Sequence, residues 1–148
     1  MNYLYLGLDD LYLPAAAAAI HLQHKFPTEE ELLQLPYFSP ARPADEGRLL
    51  LAGRDAEGRK VYLAFVSGHP DIFVRGLQSL LGIFKLPREA MQVIPVLPQN
   101  PRVGSLCRLL VRMGLPAAAN SLGLRLVHNR KNDLLHIADC RDKTAGKH

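Results

Sequence analysis

A chain of 148 residues with 48% hydrophobic and 22% charged residues is one domain's worth of ordinary globular protein. That balance excludes a largely disordered chain, and the lack of Trp with only 7% aromatic residues argues against an aromatic-lined nucleic-acid platform or sugar cleft. The net charge of +4 is unevenly spread: seven acids and three bases in residues 1–50, but nine bases and three acids in residues 101–148. We read the basic last third as a solvated helix surface. A face for an acidic partner or phosphate is the competing reading, and nucleic acid ranks last because no aromatic residues accompany the charge.

Tyr3, Leu4, Tyr5 and Leu6 form a β-prone, nearly unbroken apolar run, the pattern of a strand buried on both faces, and Gly7 is expected to end it. The loop GLDDLYLP then leads into a helix opening at Pro14, where a missing N–H is no loss. Ala15 to Ala19 give that helix a narrow side able to lie close against a sheet, and Lys25-Phe26-Pro27 stop it. The first residues could pass for a signal peptide, but they lack a basic start and Asp9-Asp10 interrupt the apolar run. With no other stretch approaching membrane-span length, the expectation is a soluble, cytoplasmic protein without a membrane partner.

Thr28 before Glu29, Glu30 and Glu31 has the pattern of a capped helix start, for a short helix ending before Pro36. Residues 36–47, with three prolines, read as a surface loop. Arg48–Gly53 and Lys60–Val66 read as an antiparallel hairpin, with Gly58 free to take the positive φ its loop needs. Pro70-Asp71 opens a third long helix that places Ile72, Phe73, Leu77, Leu80, Leu81 and Phe84 at helical spacing, and its Gly76 and Gly82 suggest close packing against a neighbour. Gln92–Leu97 is another apolar strand. An amphipathic helix follows, with Leu106, Leu109, Leu110 and Met113 expected inward, ended by Gly114. The tail from Ala117 to about Asp142 holds two short helices broken near Asn129, or instead a hairpin of Leu124–His128 with Leu134–Ala138. The order predicts an α/β fold: a single-domain mixed, mostly parallel sheet with one antiparallel hairpin and helices on both faces, spanning 1–142 with a frayed polar tail over 143–148.

Ligands of open α/β sheets bind beyond the carboxyl ends of the strands. The first such loop, 7–14, has one glycine, no lysine and no hydroxyl at the helix start, and Asp9 and Asp10 add negative charge, so a phosphate cradle is excluded there. The two adjacent carboxylates read as caps and solvated charges, and no metal site is assigned. The later loop is better equipped. Asn100 can donate or accept, Arg102 is a fixed cation, Gly104 permits close approach and Ser105 stands at a helix start, while an Asn-Pro turn with an ordinary cap is the bland reading. His69, between a strand and a helix, can reach the same crevice. His21 reads as a packed histidine, and His24, His128, His136 and His148 as superficial. Cys107 and Cys140, far apart and without zinc spacing, read as small hydrophobes. No cofactor and no catalytic constellation can be named from spacing.

The AAAAAIHL run (15–22), PYF (36–38), AGRDAEGRKVY (52–62) and PQNPRVGSLCRLLVRMGLP (98–116) resemble the domain of unknown function 3189 family of small bacterial proteins. The resemblance implies a loop after the first strand with Cys, paired glycines and a His-Ser-Ser at the helix start. Counting back from Ile20-His21-Leu22, those places hold Gly7, then Asp9 and Asp10, then Tyr12, Leu13 and Pro14. The chain is thus similar to a divergent member in which every polar or permissive residue of that loop site is replaced. The expectation is a non-catalytic ligand- or protein-binding domain, with Asn100, Arg102, Gly104, Ser105 and His69 as ligand-binding residues. Its partner would be a second copy, an intact family member or an anionic small molecule. The alternative is an enzyme acting on a phosphorylated or carboxylated small molecule.

Overall fold

The computed structural model describes residues 1–8, 11–38, 45–96, 106 and 109–137. Its centre is a four-stranded sheet in the order β2-β3-β1-β4, made of β1 (Asn2–Leu8), β2 (Leu50–Arg54), β3 (Lys60–Val66) and β4 (Met91–Val96). β1 pairs in parallel with β3 on one side and β4 on the other, and β2 is the antiparallel partner of β3. This is the mixed, mostly parallel sheet that the order of elements implies. β1 runs through Gly7, which is in register with Phe65 and Val96, so the glycine does not end the strand. Pro95 lies in β4, and as an edge strand β4 has a side where a missing N–H costs no ladder bond.

Alternation along β1 sorts the two cores. Tyr3 and Tyr5 face α1 (Tyr12–Gln23), whose five alanines are all buried, together with Val61 and Leu63 of β3. Leu4 and Leu6 face the opposite side with Ala64 and Val66, under Phe73, Val74 and Leu77 of α3 (Pro70–Ile83). Alanine makes this possible: without long side chains, α1 lies close enough to the sheet to bury ten of its residues. The short α2 (Glu29–Gln34) starts as its sequence says, with Thr28 Oγ1 accepting from the Glu31 N–H at 3.3 Å. Over its described residues, up to 137, the tail is helical and not a hairpin. It comprises α4 (Pro116–Asn129) and a further helical stretch over 131–137, with a turn at Arg130.

α4 closes over the start of α1. Tyr12 is fully buried, donates its hydroxyl to Asn120 Oδ1 at 3.0 Å, and meets the Phe38 ring edge-on at 4.8 Å. Gly123 lies flat on the Tyr12 ring, so a β-carbon there would fall 2.5 Å from a ring atom. In contrast, Gly76 and Gly82 of α3 have open space where a β-carbon would go, so close packing within the described chain does not account for them. Of the apolar residues at helical spacing in α3, Ile72, Leu80 and Phe84 are exposed, and so are Leu106, Leu109 and Met113, expected inward, around the helical residues 109–112. α3 covers the sheet with only one side of its apolar surface.

Two glycine variants should therefore move stability in opposite directions. Gly123→Ala should lower it by about 1–3 kcal/mol, because the Tyr12 ring cannot retreat from a packed interface. Gly82→Ala should raise it by roughly 0.5–1 kcal/mol. Urea denaturation of both variants beside the parent checks the two signs.

Candidate functional site

Because β1, β3 and β4 are parallel, the loops that follow them gather at one end of the sheet. β1 passes to α1 on one face and β3 to α3 on the other, so the gap between the carboxyl ends of β1 and β3 is the switch point where such sheets hold ligands. Here the described residues fill it. Leu11, at the N-cap of α1 with no capping side chain, packs with Phe65 and Leu50. Leu11, Tyr12, Leu13 and Phe65 are each no more than 3% exposed. Residues 45–48 cover the end of β3: Gly47 N–H donates to the Phe65 carbonyl at 2.9 Å, and Ser67 N–H donates to Glu46 Oε1 at 2.8 Å. The first turn of α1 faces apolar side chains.

Of the expected ligand-binding residues, the structure places His69 at that same end. It is the exposed N-cap of α3, following β3, with no side-chain cap bond. Asn100, Arg102, Gly104 and Ser105 lie outside the described residues, as do Asp9, Asp10, Cys107 and Cys140. His24, His128 and His136 are exposed.

The polar centre that sequence reading missed is at the opposite end. α1 runs back along β1, which returns His21, in its last turn, to the beginning of the strand beside Tyr3 and Tyr5. His21 is packed, as its apolar neighbours suggest, with 0% exposure, but it is also tied on both nitrogens. Nδ1 is 2.7 Å from the Tyr5 hydroxyl and Nε2 is 3.2 Å from Asp55 Oδ2, across the tip of the β2–β3 hairpin. Asp55 also accepts from Arg59 Nε at 2.7 Å and from the backbone N–H groups of Glu57 and Arg59 at 3.0 and 2.9 Å. Arg59 continues the chain, donating to the Tyr3 hydroxyl and to Glu57, each at 3.0 Å, with its guanidinium 5.0 Å from the Tyr3 ring centre.

These bonds hold Asp55 in its charged form. Burial raises the Asp55 pKa, but the Arg59 N–H groups, His21 and the Arg59 charge outweigh it and hold the carboxyl at about 2 instead of 3.8. An ionised carboxylate only accepts, so His21 Nε2 carries the hydrogen that Asp55 receives, while Nδ1 pairs with the Tyr5 hydroxyl. Burial lowers the Arg59 pKa, yet Asp55, Tyr3 and Glu57 raise it by more, keeping the guanidinium charged. Hydroxyl, imidazole and carboxylate in a row have the chemistry of a proton relay. Here the imidazole is sealed from solvent, and the carboxylate's acceptor sites are taken up by these four donors. The cluster acts as a clamp between α1, β1 and the hairpin.

A cavity of about 60 Å³ lies between Ala15, Ala18 and Ala19 of α1, Tyr37, and Ala52 and Leu63 of the hairpin. It is smaller than the roughly 150 Å³ void that accepts a benzene ring. Among the described residues no group of His, Cys, Asp and Glu could hold a metal ion, and no helix is long and apolar enough to cross a membrane.

The family model described as "Protein of unknown function (DUF3189)" matches residues 2–139. The chain belongs to this family. No curated protein and no solved structure matches it. The matched span includes the β1–α1 unit, the hairpin with its Asp55–Arg59 tip, and the 98–116 stretch, so family membership covers both ends of the sheet.

Asp55 gives this site a pH dependence. Its folded pKa lies below its ordinary value, so its contribution, about 2 kcal/mol, is complete above pH 3.8 and lost as the pH falls toward about 2. Asp55→Asn should cost about 2–4 kcal/mol at neutral pH, by leaving Arg59 and His21 with a poorer acceptor, and should flatten the acid limb. Denaturation midpoints at pH 7, 4 and 2.5 for parent and variant measure both effects.

Proposed function

We propose that this chain is a non-catalytic α/β domain that works by binding, with a protein of its own family as its partner. One observation carries the reading: Leu11 packs with Phe65 at the carboxyl end of β3, and Tyr12 and Leu13, which open α1 after β1, are buried in the core. A ligand at that point would need the free N–H groups of the first turn of α1 and room to approach them. Buried aromatic and aliphatic side chains leave no such room. The scaffold around this point is intact, with α1 flat on the sheet and the hairpin clamped, which is what a companion subunit needs for docking beside a relative that keeps its polar loop. The reading predicts that an intact family member, co-expressed with a tagged copy of this chain, elutes with it in one peak. Two separately eluting monomers would contradict it.

A second reading is an enzyme acting on a phosphorylated or carboxylated small molecule. His69 favours it, exposed at the head of α3 on the carboxyl edge, with Asn100, Arg102, Gly104 and Ser105 as the anion-holding residues by sequence. It predicts that inorganic phosphate or a nucleotide raises the melting temperature of the parent protein, and that Arg102→Ala abolishes the rise. A flat response from the parent removes this reading's support.

A further inference from the structure

We infer that the open apolar side of α3 is the surface through which two copies of this chain pair. Taking 100° per residue, Phe73, Val74 and Leu77 project toward the sheet, whereas Ile72, Gly76, Ser79, Leu80 and Ile83 form a neighbouring stripe roughly a third of a turn away. That stripe carries no charge. Ile72 is 66% exposed, Leu80 51% and Ile83 72%, with Phe84 at 70% and Leu86 at 50% just beyond the helix end.

At roughly 200 Å² for a large side chain, these exposures leave on the order of 600 Å² of apolar surface, at the upper end of what a monomer's largest patch reaches. Two such faces give roughly 1,200 Å², the lower bound of a specific interface. The stripe is also self-complementary, as a two-fold interface requires. When α3 is laid antiparallel on a copy of itself about a midpoint between Leu77 and Gln78, Ile72 meets Ile83, Gly76 meets Ser79, and Leu80 falls level with the aliphatic stem of Arg75. The small residues then fall at the crossing, where helix axes approach closest, and the large ones fall outside it. Gly76, which costs about 1 kcal/mol in a helix interior and has no neighbour at its β-carbon position among the described residues, acquires a role in that arrangement. The sheet edges offer less. β4 carries Pro95 and β2 has a register shift between Leu51 and Gly53, two devices that blunt edge-to-edge pairing.

The inference does not depend on the reading above, because its test uses this chain alone. Sedimentation velocity over a hundredfold concentration range should show the parent protein at twice the monomer mass. Ile83→Asp should shift the dissociation constant upward by at least tenfold while the circular dichroism spectrum is unchanged, and Gln78→Asp, away from the stripe, should leave it unaltered. In a background with Cys107→Ser and Cys140→Ser, the double variant Ile72→Cys, Ile83→Cys should oxidise to a covalent dimer. A parent that stays monomeric throughout overturns the inference and gives the stripe to another segment of the chain. A dimer that persists in Ile83→Asp, or a cysteine pair that does not link, overturns this interface.

Discussion

The bond between His21 and Asp55 connects the parts of this fold that sequence distance separates. A buried imidazole and a buried carboxylate are both costly without partners, and here each supplies part of what the other needs. Arg59 neutralises the charge, and the backbone of the hairpin loop fills the remaining acceptor sites. Tyr5 and Tyr3 anchor the two outer members of the chain of bonds to the central strand. The result fixes where the hairpin lies against the end of α1, and therefore the position of α1 along β1. A network that is complete in this way specifies one arrangement more strongly than apolar contacts alone, since any slip leaves a buried polar group unmatched.

That clamp is at the amino end of the parallel strands, and the carboxyl end is closed by different means. Tyr12 is the first residue of α1, buried between Phe38, Asn120 and Gly123, and Leu11 and Leu13 flank it inside the core. One helix thus has its polar anchor at its last turn and its apolar anchor at its first. The usual distribution in ligand-binding α/β folds is the reverse, with polar groups gathered at the first turn. The chemistry of a carboxyl-end site would have to come from the edge that His69 shares with the loop after β4.

Much of this architecture is legible in the residues. The buried first strand, the alanine face, the Thr28–Glu31 cap and the hairpin with Gly58 at φ +78° are written in local patterns that need no tertiary context. The apolar run Leu11-Tyr12-Leu13 at the start of α1 is equally local, and the burial of all three residues agrees with it. The pairing of His21 with Asp55 is not legible in the same way. The two residues are 34 positions apart, and their meeting depends on the direction of α1 and the reach of the hairpin together. His21 sits among apolar neighbours, which announces burial but not its hydrogen-bond partners. The apolar spacing of α3 also overstates its burial: the pattern counts apolar positions around a helix, but one helix on a sheet covers only the side that touches it, which leaves Ile72 and Ile83 open.

The central claim is that the first turn of α1 is core and not a ligand loop. Amide hydrogen exchange across residues 11–20, with and without inorganic phosphate, tests it most directly. The account predicts that the amides of Leu11, Tyr12, Leu13 and Ala15 are protected as strongly as those of β1 and that phosphate changes nothing there. Rapid exchange in this turn, or protection that appears only when phosphate is added, would contradict it.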